Sequence, residues 1–319
     1  MRPRFPRTVA VLTRAVDSVA VALIVVILSF FLIQLVPGDP ARSILGVRAS
    51  EEKVAALRHQ LGLDQPVARQ LGEYIWSVLH GDLGQSVSRP GQSISGLLVG
   101  PFFVTLQIVV FAALLSMTLG MTSGLIAGLS RSKVLRDATD LASTLAIAIP
   151  PFVFGLVLLI VFAGGLRIAP AGGWGEGLAA RLDHAWLPAL ALTAYLGALV
   201  HRAMYTSVLH CREQGFIEAA TLRGLSASRV AVRHLLPNCL GPVISIVTLN
   251  LGALIGGAAV IEAVFDIPGI GSQLVDAVSQ RDYPAIQGAV LITSLSVVIG
   301  NVIGDVLQLL TDPRTRRAQ

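Results

Sequence analysis

The sequence predicts an all-α integral membrane protein with six transmembrane helices. Three observations carry that expectation: 54% of the 319 residues are hydrophobic and 13% charged, the mean hydropathy is +0.73, and long apolar runs recur along the chain. An average soluble domain carries roughly 25% charged residues. Runs of about 20 apolar residues, rising about 1.5 Å each, are what a helix needs to cross roughly 30 Å of hydrocarbon. The formal charge of +5 is spread over the ends of apolar runs and forms no basic block interleaved with aromatics, which argues against nucleic-acid binding.

Residues 1–14 read as a cytoplasmic N-terminus and 15–36 as the first span. Arg2, Arg4, Arg7 and Arg14 ahead of an apolar run imitate a secretory signal. The run nevertheless continues to Val36 with Asp17 its one charge, and no small-x-small cleavage site follows, so a retained helix is expected. Asp17 sits near the helix start, where the dipole favours a carboxylate. Residues 37–101 form an extracytoplasmic helical segment. There Ser50 caps a helix carrying Val54, Leu57 and Leu61 and stopped by Gly62; a second follows Pro66, groups Leu71, Ile75, Val78 and Leu79, and ends before Gly81.

The remaining spans fall at about 102–129, 141–163, 186–208, 240–262 and 286–310, so that 102–310 is the transmembrane core, 209–239 its largest cytoplasmic loop and 311–319 a tail. Fifteen Lys and Arg flank the N-terminus, the end of span two, the loop after span four and the C-terminus. The opposite short loops, 164–185 and 263–285, hold three, and the six of segment 37–101 are matched by six acids. The excess of cations in short loops places both termini in the cytoplasm.

No constellation supports an enzyme: GxSxG, HExxH and a Walker GxxxxGK[ST] are all missing, so this chain binds no cofactor by motif and hydrolyses no ATP itself. No metal site is expected either, because Cys211 and Cys239 lack CxxC or Cys/His spacing. Gly120, Gly124 and Gly128 recur every fourth residue, the spacing that lets two helices approach closely in a membrane. Polar residues in the spans are the candidates for function because hydrocarbon penalises them: Gln34, Gln107, Asn250, Asn301 and Asp305, though each can simply bond a neighbouring helix. Pro150-Pro151 in the third run breaks a regular helix, which is tolerated where the freed carbonyls face protein or a water-filled cavity. Gln107, Pro150, Pro151 and Asn250 are therefore candidates to line a path.

The loop after span four contains "EAATLRGLSASRVAVRHLLP", Glu218 to Pro237. Phe216 to Leu222 suit a short helix on which Ala219 and Ala220 keep the surface low. Gly224 permits a turn at positive φ, and Ser226 can cap a second helix leading to Pro237. Glu218 and Arg223 would mark such a lateral helix as a partner site.

Glu218-Ala219-Ala220, three residues, Gly224, nine residues and His234-Leu235-Leu236-Pro237 resemble the EAA motif, E-A-A-x3-G-x9-I-x-L-P, of the membrane subunits of bacterial ABC importers, with His234 where the pattern has isoleucine. "FFLIQLVPGDPARSILG", "LRHQLGLDQPV", "HGDLGQSV", "IEAVFDIPGIGSQLVDAVSQRDYPAIQG" and "TDPRTR" are similar to the peptide, dipeptide and nickel permease branch, covering about Val9 to Arg316. The resemblance implies the type I permease fold of ABC importers, inserted in the cell inner membrane. It also implies a second permease subunit, two cytoplasmic ATPases that hold ATP and Mg and grip the EAA loop, and an extracytoplasmic substrate-binding protein. Carried across, Glu218, Ala219, Ala220 and Gly224 form the coupling element. Leu222 stands where the branch commonly has alanine. Without the resemblance, the residues leave open a proton-coupled secondary carrier working through a buried acid such as Asp305, or a membrane scaffold.

Overall fold

The structure, a computed structural model, describes residues 7–34, 40–45, 49–60, 62–215 and 222–311. They are helical with short connections. In chain order the helices are α1 (Arg7–Gln34), α2 (Pro40–Leu45), α3 (Glu51–Gln60), α4 (Val67–Leu79), α5 (Ile94–Leu129), α6 (Lys133–Ala148) and α7 (Pro151–Leu158), which continues as a π-helical stretch Leu159–Gly165. They continue with α8 (Leu178–Arg212), α9 (Ala227–Val230), a π-helical turn Ala231–Leu235, α10 (Leu236–Val264), α11 (Ile270–Ser279) and α12 (Tyr283–Thr311).

Among the described residues, four helices are long and apolar enough to cross a membrane: Ile94–Leu129, Leu178–Arg212, Ala231–Val264 and Tyr283–Val306. The pair Lys133–Ala148 and Pro151–Gly165, bent by 105°, is apolar enough to make a fifth if the two helices count as one broken span. The expected third span, 141–163, is thus two helices. The break falls at Ile149-Pro150, where Pro150 serves as N-cap of α7 and its carbonyl accepts from Val153 N at 3.0 Å. The hydropathy of 141–163 hid the true start of α6. Its first turns, "KVLRDATD", are polar, and Ser132 caps them by accepting from Leu135 N. The first expected span corresponds to α1, 28 residues, whose described apolar part is the shorter stretch Val16–Phe31.

The chain divides into two compact units, residues 1–105 with 268–298, and residues 106–267 with 299–319. In the first unit, Ile94, Leu98, Ile270 and Ala289 form a buried cluster joined by Leu83, Phe102, Leu274 and Ile292. Thr105 links two helices there: its hydroxyl donates to Pro101 O and accepts from Ile270 N at the start of α11. Both helices expected within segment 37–101 form. Gly62 (φ +65°) ends α3 and Gly81 (φ +75°) follows α4, conformations that cost other residues about 1–2 kcal/mol.

In the second unit α8 is the central element, packed against α6, α7 and α10. It buries Leu187, Leu192, Leu196, Val200, Met204 and Val208. The predicted glycine stripe meets it: a Cβ at Gly120 would lie 2.6 Å from Gly197 O, at Gly124 2.5 Å from His201 O, and at Gly128 2.6 Å from Val208 Cγ1. No side chain fits between the backbones at these positions, and the spacing of four keeps the contact on one face of α5.

Candidate functional site

The candidate coupling loop joins α8 to α10. Glu218, Ala219 and Ala220, with Phe216, Ile217 and Thr221, lie outside the described residues. On either side the structure is defined. The last turn of α8 is tied down by Arg212, whose guanidinium donates to Gly128 O at 2.7 Å, at the C-terminal end of α5. A cation there also faces the negative end of the α5 dipole.

Gly224 has φ +74° with nothing within 4 Å of its Cβ position, so this glycine is required by backbone conformation and not by crowding. Leu222 and Arg223 are exposed, Leu222 by 81%. After Gly224, Ser226 O accepts from Val230 N to open α9, and the chain passes through the π-helical turn before α10. A π turn inserts an extra residue into the helical ladder, and here it precedes Pro237, which has no N–H to donate. Pro237 is exposed; His234 is half-buried, its carbonyl accepting from Asn238 Nδ2 at 2.6 Å. The loop's two flanks meet at Cys211 and Cys239, both buried and free, with sulfurs 3.8 Å apart.

The candidate path residues behave differently from one another. Asn250 is half-buried and satisfies itself on its own helix, donating to Ile246 O at 2.8 Å. Gln107 is exposed on α5, Pro150 is exposed and Pro151 is half-buried at the bend. Of the other polar span residues, Gln34 and Asn301 are exposed and Asp305 is half-buried.

Sequence reasoning missed a dense polar cluster around Asp282. Asp282 is 1% exposed and precedes α12. Its carboxylate accepts from the hydroxyls of Ser86 and Ser88, from the backbone N–H groups of Val87 and Ser88, and from Ala285 N of its own helix. Burial pushes its pKa up, and the bonds from Ser86, Ser88 and Val87 outweigh this, so the carboxyl is held below the ordinary value. Two of the family-like stretches, "HGDLGQSV" and "QRDYPAIQG", are therefore joined across 196 residues. An aspartate just ahead of Tyr283-Pro284 was a legible N-cap signal; its distant partners were not. Beside this latch is a small open recess lined by Ser86, Arg89, Gln273, Asp276, Gln280 and Asp282.

A second missed anchor is Tyr74 of α4. Its hydroxyl is 3.0 Å from Ser29 Oγ of α1, its ring packs 5.8 Å from Phe30, and it also hydrogen-bonds Gln287 of α12. Burial outweighs these bonds and raises its pKa. A third is Arg202 of α8, which donates to Ser143 and Thr144 of α6 and pairs at 3.8 Å with Asp140.

Comparisons with known proteins agree with this architecture. Residues 120–317 match the family described as binding-protein-dependent transport system inner membrane component, and residues 8–115 match its N-terminal companion family. The chain is 36% identical over 310 residues to the glutathione transport system permease protein GsiC of Salmonella typhimurium, covering 96% of this chain and 98% of that one. It is 34% identical over 312 residues, with the same coverage, to a Brucella suis protein that carries a provisional peptide-permease name. Among solved structures, the inward-facing MetNI methionine ABC transporter superposes with a TM-score of 0.57 at 17% identity, covering 68% of this chain and 96% of that one, which supports a shared fold.

Proposed function

The chain belongs to the family of binding-protein-dependent transport system inner membrane components and is a permease subunit of an ABC importer; on that premise we propose that it carries peptides, glutathione-sized ones included. The observation that carries the reading is the conjunction of the family match across both parts of the chain with near full-length similarity to a glutathione permease and a peptide-permease relative. The permease lies in the inner membrane with six spans and both termini in the cytoplasm. It pairs with a second, similar permease subunit. Two ATPase subunits bind ATP and Mg, which this chain does not, and an extracytoplasmic binding protein delivers the solute past segment 37–101.

The EAA loop is the coupling element. Glu218, Ala219 and Ala220 are the residues that an ATPase cleft grips, and Gly224, at φ +74°, makes the turn that sets the angle of the grip. Closure of the ATPases moves this element and switches the bundle between outward- and inward-facing arrangements. Arg212, bonded to Gly128 O, passes that movement from α8 to α5.

The test is uptake of a labelled dipeptide and of glutathione by cells expressing the complete transporter, with Glu218→Lys and Gly224→Trp variants. The expected result is full membrane insertion with uptake abolished and ATPase co-purification lost. Uptake that persists with the ATPases still bound would remove the coupling role, and uptake of neither solute by the unaltered transporter would remove the cargo assignment.

A further inference from the structure

We propose that α4 is an interfacial helix whose Trp76–Leu79 end lies in the outer headgroup region of the bilayer, so that the external segment rests partly in lipid. Tyr74 fixes the depth. It is bonded to Ser29, which is five residues before the end of α1 at Gln34 and so about 7.5 Å below that end. Beyond Ser29 the sequence of α1 is still apolar (Phe30, Phe31, Leu32, Ile33), and Leu28 and Phe31 are themselves exposed. On the six-span topology proposed above, in which α1 crosses the membrane and ends outside, a helix bonded at that level is at the height of the outer leaflet, not in open solvent.

The exposed residues of α4 match that position. Trp76 projects about 160° around the helix from Tyr74, and Leu79 about 140°, so both face away from the anchored side. They are 67% and 76% exposed, a large apolar pair that water disfavours. The ring of His80 packs at a tilt against Trp76, centroids 4.2 Å apart, and its Nδ1 is 2.8 Å from Trp76 O, giving this end the apolar body and polar tip of interfacial aromatics.

Polarity is graded along the axis. The exposed pair Arg69–Glu73, joined at 3.0 Å, lies in the first half of α4, its Arg69 about 10 Å from Trp76 along the helix. The helix therefore tilts, with its C-terminal end in the headgroup and acyl boundary and its N-terminal half in water. Lipid is favoured over a protein partner because the patch is level with the exposed apolar flank of α1 at Leu28 and Phe31 and carries no charge to specify a partner.

The test uses nitroxide labels at Trp76→Cys, Leu79→Cys and Arg69→Cys in the full chain, with the subunits that co-purify with it, in phosphatidylcholine and phosphatidylglycerol vesicles. Collision rates with oxygen and with a water-soluble nickel chelate are read at each position. The unaltered chain, whose two cysteines are buried, is the labelling control. At 76 and 79 oxygen should exceed the chelate, at a depth of about 5–10 Å, and at 69 the order should reverse. Chelate dominating at both 76 and 79 would mean a water-facing surface, and access by neither reagent would mean a covering protein; either result overturns the proposal.

Discussion

The α5–α8 seam and the Asp282 latch solve the same problem, holding distant parts of the chain together, by opposite means. The seam removes side chains. At Gly120 and Gly124 the α5 backbone meets carbonyl oxygens of α8, and at Gly128 it meets the Val208 side chain, so its strength is shape and dispersion. The latch concentrates polar groups, with a single carboxylate satisfying two hydroxyls and three backbone donors. The seam tolerates no added atom, and the latch tolerates no lost acceptor.

The largest effect is expected where volume is added to the seam. Gly124→Leu has nowhere to place even its Cβ, which would lie 2.5 Å from a backbone oxygen; the cost should reach at least about 3 kcal/mol and appear as loss of monodisperse protein after extraction. Next comes Asp282→Ala, which strands the buried donors around it and should cost about 3 kcal/mol, read as a lower thermal midpoint in detergent. Asp282→Asn should cost less and change the pH response. Because the folded carboxyl lies below its ordinary value, its stabilisation is fully present above that value and disappears as the pH falls through the folded one. The asparagine variant should lose that acid-side decline.

Gly224→Ala tests a position fixed by backbone alone. At φ +74° with open space around it, about 1 kcal/mol of strain is expected, with reduced uptake and an unchanged unfolding midpoint for the bundle. The smallest effect belongs to Asp140→Ala. Its pairing with Arg202 spans 3.8 Å with side chains 43% and 72% exposed, and Arg202 keeps Ser143 and Thr144, so a shift of under about 0.5 kcal/mol is expected. A large loss at Asp140, or a mild one at Gly124, would break the contrast between the regions.

The two regions also differ in how far the sequence reveals them. The glycine stripe, the Pro150-Pro151 break and the stops at Gly62 and Gly81 follow from local rules of spacing and φ, and each was legible. The 105° bend was not, because a proline pair announces a break without its angle. The polar start of α6 escaped a reading tuned to hydropathy. The partners of Asp282, about 195 residues away, and of Tyr74, 45 residues away, are chosen by tertiary structure, on which local periodicity is silent. At the coupling loop, the motif spacing and Gly224 were legible, while the tie of Arg212 to Gly128 and the meeting of Cys211 with Cys239 were not.

The glycine seam has a mechanical consequence. Where side chains separate two helices, a displacement of one is partly absorbed as rotamers readjust. At Gly120, Gly124 and Gly128 α5 contributes no rotamers to absorb it and rests on carbonyl oxygens and the short stems of Val200, Met204 and Val208, and the last turn of α8 is hydrogen-bonded to the end of α5 besides. The pair is a stiff double strut with little compliance. A small push at its loop end is delivered along its length almost undiminished, while a side chain inserted into the seam would make it a spring.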